Sequence, residues 1–281
     1  MSPIHDQSYR RYQGARHAVG GAWGVIAWSG IRAMLAKRAY VFLLIFSWVP
    51  FIVNAVRIYL VTNFPQAGSF LGVNPQMFRS FLDSQGVFVF FMTIWAGAGL
   101  IANDRRANAL QIYLSKPLLR AEYVGGKLAV LLAFLLTVTL VPGLLLLLLQ
   151  VAFSGSFDFL GKNLYLIPSI ILGSLVQVIV ASTTMLALSS LSKSSRYAAL
   201  LYTGAIFFTD AVFNALRLIN GSTRMAWVSI TANMAQVTDV IFRQPARYET
   251  PWLVSLLVLV ALVVLSISVL ERRVRGVEVV S

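Results

Sequence analysis

Apolar residues in this chain are gathered into long runs instead of alternating with polar ones. A helix that crosses a bilayer needs about 20 mainly apolar residues. Six runs meet or approach that length: Tyr40 to Val61, Gly86 to Ala102, Leu128 to Phe153, Leu164 to Leu191, Tyr197 to Leu216 and Pro251 to Leu270. Pro50, Pro142 beside Gly143, and Pro168 fall within three of them and predict kinks. Ahead of the first run, Trp23, Ile26, Ala27, Ile31, Met34 and Leu35 recur at steps of three and four, which predicts an amphipathic helix over Trp23 to Arg38, lying in the membrane interface or, alternatively, extending the first transmembrane helix at its N-terminus. Between the fifth and sixth runs, Asn220 to Thr250 is moderately apolar but too interrupted to span. Short helices dipping into the outer leaflet fit it better than a solvated loop, because Trp227, Val228, Ile230, Met234, Val237 and Ile241 are poor partners for water.

Charge orients these elements. With both termini inside, the inner segments carry Arg10, Arg11, Arg16, Arg32, Lys37 and Arg38, then Arg105, Arg106, Lys116, Arg120 and Lys127, then Lys193 and Arg196, then Arg272, Arg273 and Arg275. The outer segments carry Arg79, Lys162, Arg217, Arg224, Arg243 and Arg247. The excess recurs at each inner loop, so cytoplasmic termini and an even number of spans are expected. This divides the chain into a cytoplasmic segment with an interfacial helix (1–38), a six-span domain (39–271) with a cytoplasmic loop (103–127) and an outer loop (218–250), and a cytoplasmic tail (272–281).

Composition agrees: 58% of the 281 residues are hydrophobic and 12% are charged, against about 25% charged in soluble domains. The net charge of +13 is explained by basic inner loops facing anionic headgroups, so nucleic acid is not an expected partner. Cysteine is absent, and the only histidines, His5 and His17, lie in the polar start of the chain. Thiolate metal sites, a cysteine nucleophile and a histidine-based site within the membrane are therefore excluded. The polar stretch after Met1 is not followed by a short apolar segment with a small-residue cleavage site, so a cleaved leader is not expected.

The loop between the second and third runs, Asp104 to Lys127, holds more than a topological turn needs. Leu110, Ile112, Tyr113 and Leu114 form an apolar ridge on a short predicted helix that Pro117 ends. A second short helix, Leu118 to Val124, is expected to lead into Gly125-Gly126 and the third span. An apolar ridge with basic flanks has the character of a docking element for a cytoplasmic partner. This segment resembles the signature of the type-2 ATP-binding-cassette permease family. That pattern has an acidic-basic start, a Gly-Thr-Leu-Glu-like helix, a Thr-Pro turn, a basic residue, and Gly-Lys at the start of the next span. Asp104, Leu110, Leu114, Pro117, Arg120, Glu122, Gly126 and Lys127 fall at matching positions without a gap. Asn108-Ala109 stand where the family often has Gly-Thr, and Lys116 where it often has Thr.

The resemblance implies that this loop is a coupling helix seated in a groove of a separate ATPase, with two permeases and two ATPases in the working unit. Its coupling residues would be Asp104, Arg105, Arg106, Leu110, Ile112, Tyr113, Leu114, Pro117, Arg120, Glu122 and Lys127. The second permease would be an identical copy or a paralogue. No cofactor is expected in this chain, with ATP and Mg bound by the partner ATPase. A phosphate-binding loop needs glycines followed by Lys and Ser/Thr; Gly125-Gly126-Lys127 is followed by Leu128, and position 121 is Ala.

Polar residues within the spans are the remaining candidates. Asp210 lies in the fifth run and Arg57 in the first. A carboxylate at a helix centre costs about 2.5–3.5 kcal/mol on insertion scales and should face protein or water. A substrate or gate contact, an Asp210–Arg57 pair, a structural polar contact, and snorkelling of Arg57 to the surface are the readings. Gly173, Gln177 and Ala181 step by four along the fourth run, a stripe suited to helix packing or to lining a passage.

The expectation is an all-α integral membrane protein with about six transmembrane helices, an N-terminal interfacial helix and a cytoplasmic coupling helix. It would be the permease subunit of an ATP-driven exporter, multi-pass in a prokaryotic plasma membrane (the inner membrane of a Gram-negative cell), and would meet membrane lipid. One alternative is a force-transmitting or regulatory membrane subunit with an extracytoplasmic partner. A second is an ion-coupled secondary transporter using Asp210, which predicts inverted repeats and broken helices.

Overall fold

The computed structural model describes residues 21–64, 66, 72–109, 119–155 and 157–274. Among the described residues it is all-α with no strand, and six helical stretches are long and apolar enough to cross a membrane. These stretches are Arg38–Asn63, Pro75–Arg106, Arg120–Ser154, Leu166–Leu191, Ser195–Asn220 and Trp252–Arg273.

Helix α1 (Ala22–Leu35) precedes the first span, and the backbone breaks at Lys37, which is extended (φ −91°, ψ 107°), so α1 is a helix of its own. It lies on α6 (Arg120–Val138). The close fit depends on glycine: a Cβ at Gly126 would meet Ile26 and the Trp23 carbonyl at 2.8 Å, and one at Gly30 would meet Val130 at 2.6 Å. This packing also corrects the expected second short helix. Gly125 and Gly126 lie inside one continuous α6 that begins at Arg120, where Gly126 serves helix approach instead of ending a helix.

The first span is α2 (Arg38–Phe46) and α3 (Val49–Asn63), interrupted at Ser47–Trp48 just before Pro50. The second is α4 (Pro75–Met92), one wider π-helical turn at Thr93–Gly97, and the short α5 (Ala102–Arg106). It begins eleven residues earlier than the apolar run, with Asn74 capping the Met77 N–H at 3.1 Å and Pro75 in the first turn. The third span joins α6 to α7 (Leu140–Ser154) at Thr139, ahead of Pro142. A short α8 (Asp158–Lys162) leads to α9 (Leu166–Leu191). The kink expected at Pro168 does not form: α9 begins at Leu166, so the proline sits in the first turn, where its missing N–H has no intrahelical partner to lose.

After α10 (Ser195–Asn220), a single 3₁₀ turn at Ala226–Val228 and α11 (Ile230–Ile241) lead to α12 (Trp252–Arg273). Helix α9 is the centre of the bundle and packs against α4, α6, α10, α11 and α12. The core divides along its length. At the end bearing α5 and the start of α6, Tyr40, Met92, Ile101, Tyr123, Leu131, Leu135 and Met185 are buried together. At the opposite end Ile58, Phe78, Phe81, Leu146, Leu166 and Phe242 form a second cluster. The outward faces of α2, α3, α10 and α12 carry exposed Phe42, Ile45, Ile52, Leu200, Phe207, Phe208, Leu257 and Val264, the surface a lipid-facing helix needs.

Candidate functional site

The predicted coupling loop begins in α5 and ends in α6, and these two ends are fastened together. Asp104 Oδ2 lies 2.7 Å from Lys127 Nζ and accepts the Tyr123 hydroxyl at 2.7 Å. Both charged side chains are mostly covered, 20% exposed for Asp104 and 14% for Lys127. Glu122, at the third position of α6, accepts the Leu119 N–H at 3.0 Å and so satisfies the start of the helix. Arg105 donates to the Ser190 carbonyl near the end of α9. One residue earlier, the Ser189 hydroxyl accepts from the N–H groups of Ile101 (3.2 Å) and Ala102 (3.0 Å) and donates to the Ala98 carbonyl (2.8 Å). The turn between the π-helical segment and α5 is therefore pinned to α9. Arg106 and Arg120 are exposed on the two flanks. Leu110, Ile112, Tyr113, Leu114 and Pro117 lie outside the described residues.

Asn108 explains a departure from the family pattern. It has φ 52°, the left-handed conformation that ends helices, and it follows the last residues of α5. Glycine is the usual residue there and asparagine the next most tolerated, so Asn108 replaces the customary glycine at small cost.

The intramembrane candidates separate. Asp210 and Arg57 do not pair. Asp210 Oδ1 accepts the hydroxyls of Ser229 (2.5 Å) and Thr231 (2.6 Å), while Arg57 donates to the Gly72 carbonyl at 2.8 Å. Ser229 is also the N-cap of α11, its oxygen accepting the Ala232 N–H at 2.9 Å. Asp210 thus ties the middle of α10 to the start of α11, where a carboxylate is favoured by the helix dipole. Gly173, Gln177 and Ala181 all line a cavity of about 270 Å³ between α4, α9, α10 and α11.

The same cavity touches a charge network that the sequence reading had scattered among outer loops. Arg79, buried to 3% exposure, donates through Nε to Asp239 Oδ1 at 2.7 Å, through Nη1 to Asp83, and through Nη2 to the Ala235 carbonyl at 3.2 Å. Arg247 reaches Asp239 Oδ2 at 3.1 Å and Asp83 Oδ2 at 2.9 Å. Burial opposes the charge on Arg247, but hydrogen bonds and attraction from Asp83 and Asp239 outweigh it and raise its pKa. Two arginines and two aspartates therefore neutralise one another and fix α4 to α11 and to the segment before α12. Gln236 completes the fastening by donating to the Tyr248 and Thr250 carbonyls at 3.1 and 2.9 Å. The one local signal was the Arg79–Asp83 spacing of four.

Six membrane-length helical stretches, a loop with both ends fastened to the bundle, and a short helix locked by charge at the opposite end define a polytopic membrane protein. The chain matches the ABC-2 family transporter protein over residues 25–274 and belongs to that family: it is an ABC permease. No individual curated protein matches it.

Proposed function

We propose that this permease is the membrane subunit of an ATP-driven exporter, worked by two ABC ATPase chains through residues 104–120. The observation that carries the reading is the fastening of both ends of that loop, by Asp104 to Tyr123 and Lys127 and by Arg105 to the Ser190 carbonyl. A loop so held transmits a push at its tip into α5, α6 and α9 together, whereas a slack loop would absorb it. ATP and Mg belong to the partner subunits, and this chain holds neither. Closure of the ATPases drags the loop, and the spans exchange between two arrangements whose relative stability depends on nucleotide. The working unit contains a second permease, identical or paralogous, and both termini of this chain are cytoplasmic in a prokaryotic plasma membrane.

The cavity beside Gln177 is the proposed substrate path. Gln177 faces it among mostly apolar walls, Leu82, Val89, Phe90, Ile206 and Met234, as suits a compartment that selects with a few polar groups. The test is co-expression with the ATPase encoded beside the gene, followed by purification and subunit counting. A stable complex that is lost in Leu110→Asp/Leu114→Asp supports the reading. A monodisperse permease that captures no ATPase overturns it and turns attention to secondary transport through Asp210.

A further inference from the structure

At the coupling-loop end, a second cavity of about 660 Å³ opens between α1, the π-helical turn, α5 and the start of α10. Three cations line it. Lys127 is shared with Asp104, but among the described residues neither Lys37, which donates to the Met34 sulfur at 3.7 Å, nor Arg196 has an acidic partner. Ser195 and Arg196 are the first two residues of the 26-residue α10, so the start of that helix, whose dipole favours negative charge, forms part of the cavity wall. The cavity wall therefore carries an excess of positive charge, three cations against the single carboxylate of Asp104. The same wall also carries apolar side chains: Trp95, 46% exposed on the π-helical turn, Ile94, and Val25, which is 72% exposed.

Cations and a helix start in one wall with an exposed tryptophan match the two halves of a phospholipid, a phosphate headgroup and the upper part of its acyl chains. We propose that this cavity is a binding site for an anionic phospholipid of the leaflet that meets the coupling loop. The shared chemistry is a phosphate, and the apolar wall assigns it to a lipid in preference to a soluble phosphate. This inference does not depend on the ATPase or on the substrate path.

The test uses the full chain, delipidated in detergent and titrated by native mass spectrometry with phosphatidylglycerol, with phosphatidylcholine of the same acyl chains, and with glycerol phosphate. Each basic residue near an anionic headgroup contributes about fivefold to binding, so Lys37→Gln/Arg196→Gln should weaken phosphatidylglycerol about thirtyfold while leaving phosphatidylcholine unchanged. Lys37→Arg/Arg196→Lys should keep the preference. Equal binding of the two lipids by the native chain, or an unchanged preference in the glutamine variant, overturns the proposal. Glycerol phosphate binding as tightly as the lipid overturns the lipid assignment and marks a soluble-phosphate site. Should the glutamine variant not fold, photocrosslinking of headgroup-labelled phosphatidylglycerol to the native chain decides: label at α1 and the start of α10 upholds the site, and label elsewhere refutes it.

Discussion

Substituting Asp104 by Asn removes the charge from the loop clamp while leaving an oxygen for the Tyr123 hydroxyl. Lys127 would then lie 86% covered beside a neutral amide, given its 14% exposure. An exposed ion pair contributes about 0.2–1 kcal/mol, and breaking a fully buried one costs about 3–5 kcal/mol. At 20% and 14% exposure and 2.7 Å separation, the pair lies between these limits, so Asp104→Asn should cost about 1.5–3 kcal/mol. Lys127→Met should cost a similar amount by stranding Asp104. The double variant loses both charges together and should recover part of the sum, with a coupling of about 1–2 kcal/mol. Unfolding of the purified chain in mixed micelles measures all four corners of the cycle. The functional readout is transport per ATP hydrolysed, which should fall in both single variants and recover partly in the double. A coupling below about 0.5 kcal/mol would show that the two residues act independently, and the clamp would be refuted.

Outcomes at other positions follow from the structure. Asp239→Ala leaves the buried Arg79 with only Asp83 and a carbonyl, and should destabilise the chain by about 3–5 kcal/mol in the same unfolding assay, whereas Arg79→Met/Asp239→Leu should restore much of it. Ser229→Ala removes the cap of α11 and a ligand of Asp210, costing about 1–2 kcal/mol; Asp210→Asn keeps an acceptor for both hydroxyls, so a structural tie predicts unchanged transport, and transport lost with assembly intact would make Asp210 a substrate or gate contact. Asn108→Gly should be neutral in unfolding, while Asn108→Val should cost about 1–2 kcal/mol because a β-branched residue resists positive φ.

The spans were legible because a bilayer imposes a length and a composition that no local exception hides. Their ends were less so: Arg79 and Asp83 made residues 75–85 read as loop, yet these charges are neutralised by Asp239 and Arg247, which lie more than 150 positions away. Hydropathy counts charges and cannot see their partners. Pro168 misled for a related reason, since the effect of a proline depends on which turn of a helix it occupies. Gly125-Gly126 looked like a helix boundary, and the approach of α1 that requires Gly126 lies about a hundred residues upstream. Of the candidate site, Asp104, Glu122 and Lys127 were named by motif position, but Tyr123 and Ser189, which complete the fastening, were not. Neither carries a pattern in sequence; each is defined by the element it reaches.

The chain has no cysteine, which makes one measurement direct. Single cysteines at Leu110, Tyr113 and Leu114, with Gln244→Cys as an outer-end control, can be cross-linked in membranes holding the co-expressed ATPase. The account predicts a permease–ATPase adduct from the three loop positions, altered by ATP, and none from the control. No adduct from any loop position, in a complex that still hydrolyses ATP, would contradict it.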